Sequence, residues 1–151
     1  MRTIPFTAAM VAAFCVAGMA LAETSAPPDL AGRWVAQKRS LVLDISRCGA
    51  GWCGVEVKDG RTCGAIVLRV ELARPSASAG QRLIGRLELA AEAEPYAVEV
   101  RFFEPSNDGQ FELIISGNSG DKLEPWRRTF DFRELLARSG DAVCPPVPKV
   151  S

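Results

Sequence analysis

From Leu30 onward the chain alternates short runs, in which every second residue is apolar, with clusters of Gly, Pro, Asn, Asp and Ser. An apolar period of two places alternate side chains on opposite faces of an extended strand, so the pattern demands β structure with one face buried. The runs cover 32–37, 40–46, 52–58, 63–73, 81–90, 96–104, 111–117 and 122–130. Short strands at this spacing, joined by turns, form a sandwich or a barrel. The expected fold is all-β: an antiparallel up-and-down barrel of about eight strands, which leaves no sheet edge exposed. A sandwich is the alternative. Asp59-Gly60 is a tight-turn dipeptide between the third and fourth runs. The one helical signal is 131–140, where Asp131 can cap, Glu134 stands at the capping-box position and Gly140 can stop the helix.

The first residues set the compartment. Arg2 precedes an apolar run over 4–17, and Ala20-Leu21-Ala22 supplies the small residues that a signal peptidase reads. A signal peptide over 1–22 is therefore expected, with Glu23 as the first residue after the cut. The alternative is an uncleaved anchor, but the run falls short of the roughly 20 residues of a full span, and Pro5 interrupts it. A flexible leader over 23–29, a β-barrel domain over 30–144 and a flexible tail over 145–151 complete the expected organisation. Lys and Arg number 18, balanced by 18 Asp and Glu, and no basic stripe marks a nucleic-acid partner. No stable membrane span is expected after cleavage, and the expected location is periplasmic or secreted.

Beyond the leader stand Cys48, Cys53, Cys63 and Cys144. A zinc site would need Cys or His in close pairs, whereas here the gaps are four and nine residues and the chain has no histidine. A redox dithiol is usually CxxC at a helix start, and this is a β-turn context. Two structural disulfides fit an even count in an exported chain. Sequence alone permits three connectivities. Cys48 and Cys53 flank a short link between antiparallel neighbours, within bridging reach. Cys63 lies at the far end of the Cys53 strand, more than about 10 Å away at roughly 3.3 Å per residue. That leaves Cys63 to pair with Cys144.

Without histidine the Ser-His-Asp and Cys-His sets are absent. Asp44, Glu56 and Glu88 alternate with apolar residues and are expected on a solvated face. No enzyme activity, metal or cofactor is expected. The strands assign Leu43, Val55, Val57, Leu68, Val70, Leu87, Val98, Val100, Leu113 and Ile115 to the barrel interior as candidate lining for a ligand. Gly85 marks a bend or close backbone approach and leaves room inside. Such an interior suits a small apolar molecule.

Gly32-Arg33-Trp34 at the first strand and Trp126-Arg127-Arg128 in the last resemble the calycin pattern of lipocalins. That resemblance implies Trp34 on the barrel floor, with Arg127 or Arg128 against its ring in a cation–π contact. More narrowly, "AGRW", "ISRCGAGWCG", the second "CG" at Cys63-Gly64 and the late "WRR" resemble the secreted bacterial family called domain of unknown function 2147. The chain departs from it in lacking a "DGxxY" segment and in its Cys-bearing tail. The resemblance implies a lipocalin-like barrel and names no activity. The expected role is a non-catalytic protein that binds a small apolar ligand. The alternative is a cell-envelope protein–protein module such as a protease or lysozyme inhibitor.

Overall fold

The computed structural model describes residues 28–73, 82–89, 94–103, 105, 109–120, 122–123 and 129–144. The expected signal peptide and tail lie outside the described residues, as does most of the leader. Eight strands carry the fold: β1 (Gly32–Ala36), β2 (Val42–Cys48), β3 (Gly51–Lys58), β4 (Thr62–Leu72), β5 (Leu83–Leu87), β6 (Tyr96–Phe103), β7 (Glu112–Ser119) and β8 (Phe132–Gly140). Each pairs antiparallel with the next, and β8 pairs with β1, so the sheet closes into a barrel. At the β3–β4 turn Asp59 and Gly60 have φ of 50° and 72°, and the Arg61 amide donates to the Lys58 carbonyl at 3.1 Å.

No helix occurs among the described residues. The helix expected over 131–140 is instead β8, and the eighth run expected over 122–130 carries no strand among its described residues. Glu, Leu, Ala and Arg favour a helix locally. Pairing overrides that preference. As a strand the segment ladders with β7 from Glu112↔Ala137 to Gly117↔Phe132, and with β1 through Val35↔Ala137 and Ala36↔Leu136. As a helix it would leave β1 and β7 as open edges. Asp131, expected to cap a helix, accepts instead from the Ser119 amide at 3.0 Å, tying the end of β7 to the start of β8.

The inward faces form one cluster that includes Trp34, Leu43, Ile45, Leu68, Leu87, Val98, Leu113, Ile115, Phe132 and Leu136. Every one of these is 0% exposed. Trp34 donates its indole N–H to the Leu30 carbonyl at 2.9 Å, which satisfies its one polar atom. Its ring meets Phe102 edge-on at 6.4 Å, and Phe102 stacks on Phe111 at 5.7 Å. These rings fill the end of the barrel where β1 begins.

Glycines let the strands close in. A Cβ on Gly85 would fall 1.8 Å from the Arg69 carbonyl oxygen, and one on Gly117 would fall 2.5 Å from that of Ala97. Both clashes are with backbone, so neither could be relieved by a side-chain rotation. Gly85 is indeed a close approach. It leaves no room inside, because the β4 backbone occupies the space.

Trp34→Ala should destabilise the protein by about 3–5 kcal/mol, the usual cost of deleting a buried aromatic. Chemical denaturation with fluorescence and far-UV detection measures this directly. A loss below about 1 kcal/mol, the scale of surface substitutions, would contradict the packing described.

Candidate functional site

Eight of the ten candidate lining residues sit in the barrel: Leu43, Leu68, Val70, Leu87, Val98, Val100, Leu113 and Ile115. None is more than 2% exposed. A void wide enough for water would expose the side chains around it, so the interior beside these residues is filled by the protein itself.

Val55 and Val57 are not in the interior. Val55 stands opposite Asp44 and Val57 opposite Cys63, and both belong to a second cluster with Cys144, flanked by Val42 and Ile66. β3 is buried on both sides. Trp52 and Gly54 supply its inner face, while Val55 and Val57 supply an outer face that the C-terminal segment covers. An alternating apolar pattern marks a covered face without saying which cover lies over it.

The cover is fastened twice. Cys63 and Cys144 are joined by a disulfide with Cα atoms 5.6 Å apart. Asp44, expected in solvent, is 2% exposed beneath the same segment. Its carboxylate accepts the Val143 and Cys144 amides at 2.7 Å each, and the Arg33 guanidinium at 2.8 and 2.9 Å. Arg33 also donates to the Gly60 carbonyl at 2.8 Å. One carboxylate thus joins β1, β2 and the C-terminal segment at Val143 and Cys144, and through Arg33 the β3–β4 turn. Burial opposes its ionisation, but Arg33 and the two amides outweigh that and hold the Asp44 carboxyl below the usual carboxylate range.

The second disulfide joins Cys48 to Cys53, with Cα atoms 5.7 Å apart. It borders an open groove of about 900 Å³ on the outside of β3–β6. The groove's side chains include Arg69, Arg82, Ile84, Arg86 and Leu123, and it reaches Leu72 at the rim. Ile84 and Leu72 are 42% and 47% exposed, and Arg69 donates to the Cys53 sulfur at 3.5 Å. Beside the groove Glu99 is 7% exposed and is paired with both Arg82 and Arg101. Burial again opposes ionisation, and the two guanidinium groups overcome it, so the Glu99 carboxyl also lies below its ordinary range. Guanidinium groups beside exposed aliphatic side chains can hold a segment of mixed acidic and apolar character.

One buried carboxylate of the interior, Glu134, was not expected from the sequence. Glu134 faces Ile115 across the β7–β8 ladder and is 2% exposed, with Arg39 at 3.4 Å from one carboxylate oxygen. Arg39 also lies 4.9 Å over the Phe132 ring. The alternation Phe132, Glu134, Leu136 carried that signal, but a helical reading hid it. Arg127 and Arg128, expected against Trp34, lie outside the described residues. The last-strand residue opposite Trp34 is Arg138, whose guanidinium lies 5.7 Å over Phe111. Glu56, expected in solvent, is only partly exposed and stands opposite Leu43, whereas Glu88 is exposed. Among the described residues no three His, Cys, Asp or Glu side chains converge as a metal site requires.

Searches of family models, of curated proteins and of solved structures find nothing that matches this chain.

Asp44 and Glu99 both have folded-state pKa values below their unfolded values. Their contribution is therefore present above the ordinary carboxylate range and is lost as pH falls through the depressed values. Denaturation midpoints should hold steady from about pH 8 to pH 5 and fall below about pH 4. Asp44→Asn should cost about 2 kcal/mol at neutral pH, because it removes the charge that Arg33 and the Val143 and Cys144 amides share, and should shrink the acid-dependent part. An unchanged acid limb in Asp44→Asn with Glu99→Gln would contradict this assignment.

Proposed function

We propose that the protein is a non-catalytic binding module of the periplasm or extracellular space that engages a partner protein through the outside of its barrel. The packed interior carries this reading. Leu43, Leu68, Val98, Val100, Leu113 and Ile115 are all 0% exposed, which leaves no space beside them for a fatty-acid-like molecule. An apolar ligand needs an open cavity, and a filled barrel with apolar groups at a surface groove favours a protein surface instead. Leu72 and Ile84 beside Arg69 provide such a surface. Inhibition of an envelope protease or lysozyme is the kind of role this reading fits. Two disulfides support an oxidising compartment.

A calycin-like identity, and with it the resemblance to the domain of unknown function 2147 family, belongs to the same proposal. A fully buried first-strand Trp34 with a last-strand arginine, Arg138, opposite it supports that identity.

Titration of the delipidated protein with a fluorescent fatty-acid analogue separates the two readings. No saturable binding at micromolar concentration is expected. Saturable binding that is lost on Val98→Trp would return the function to an apolar ligand inside the barrel.

A further inference from the structure

The outer face of β2–β4 carries apolar side chains that a globular barrel would ordinarily replace with polar ones. Val55 and Val57 are 7% and 5% exposed and pack in one cluster with Cys144. The segment ending at Cys144 has no strand pairing over 141–143. It leaves β8 at Gly140, whose φ of 151° suits glycine and which has open space around its missing Cβ. Beyond that hinge the described attachments are the disulfide to Cys63, the two hydrogen bonds to Asp44 and the apolar contacts of Cys144.

The two disulfides differ in access. Cys63 is exposed, whereas Cys53 is 0% exposed and Cys48 is partly buried. Thiol–disulfide exchange requires in-line attack by a thiolate on a reachable sulfur, so exposure sets which bridge opens first.

We propose that residues 141–144 form a redox-released strap: a dithiol reductant opens Cys63–Cys144 ahead of Cys48–Cys53, and the strap then hinges at Gly140 and uncovers Val42, Val55, Val57 and Ile66. In the first step a reductant thiolate attacks the Cys63 sulfur, the bridging bond breaks, and Cys144 leaves as a thiolate that takes a proton. The second reductant thiol then attacks the mixed disulfide and releases Cys63 as a thiol. The reductant departs as a disulfide, having supplied two electrons and two protons. Asp44 is what holds the strap between reduction and release, so the strap stays near its seat and can be fastened again on oxidation. This inference is independent of the groove proposed above, which is lined by other residues.

The experiment uses the full exported chain. Graded dithiothreitol at pH 8, followed by alkylation and mass spectrometry, should label Cys63 and Cys144 before Cys48 and Cys53. Hydrogen exchange should then show protection of the Val143 and Cys144 amides falling by about tenfold or more, with Leu43 and Ile45 unchanged. Fluorescence of anilinonaphthalene sulfonate should rise in step. Cys63→Ser with Cys144→Ser should reproduce these changes without reductant and with Cys48–Cys53 intact, and adding Asp44→Asn should abolish the remaining protection at residue 143. Prior opening of Cys48–Cys53, unchanged protection at Val143 once the bridge is open, or loss of that protection only together with Leu43 and Ile45 would each overturn the proposal.

Discussion

The pairing of β8 with β1 is the constraint on which the rest of the molecule depends. Seven strands in a meander have two open edges, each a row of unpaired backbone groups. β8 satisfies both at once, with Leu136 opposite Ala36 on one side and Leu113 on the other. Closure then dictates the interior. Eight strands enclose only enough width for side chains or for one small ligand. Here side chains take that width: Trp34, Phe102 and Phe111 at one end, Phe132 and Tyr96 at the other, and Leu, Ile and Val between. The glycines tighten it further, since Gly85 and Gly117 bring strand backbones closer than any side chain would permit.

A filled interior moves the chemistry outward. Two of the three carboxylates at most 7% exposed with described cation partners, Asp44 and Glu99, lie on outer faces. They are buried for different reasons. Asp44 fastens a strap, whereas Glu99 is enclosed by two arginines beside the groove. The strap's disulfide closes a loop of 81 residues, for which the chain-entropy account gives about 4 kcal/mol. The short Cys48–Cys53 bridge closes a separation of 5 residues and contributes about 2 kcal/mol on the same account. The long-range bridge is therefore the stronger staple, and exposed Cys63 also makes it the more approachable one.

Much of the barrel was legible because its signals are local. Leu41, Leu43 and Ile45, or Val98 and Val100, alternate in register with the barrel interior, and Asp59-Gly60 is a turn that depends on its own two residues. The Cys48–Cys53 link followed from strand adjacency. What stayed hidden depends on partners distant in sequence. The segment 132–140 is helix-prone in isolation and becomes a strand because β1 and β7 both need it. Val55 and Val57 read as core, and they are buried, but against a tail some ninety residues later. Asp44 reads as a solvated position until Arg33, Val143 and Cys144 are brought to it. The groove gave no signal at all, since its lining is drawn from β3, β4, β5 and β6, which come together only in the closed sheet.

On the proposed reading, recognition occurs on the outside of the barrel, because Leu43, Val98, Leu113 and Ile115 inside it are all 0% exposed. Xenon tests this most directly, because it enters any dry apolar void of sufficient size without needing polar partners. Methyl NMR of the protein under xenon pressure should show no saturable shift for Leu43, Val98, Leu113 or Ile115. A saturable shift at those methyls would reveal an interior cavity and contradict the account.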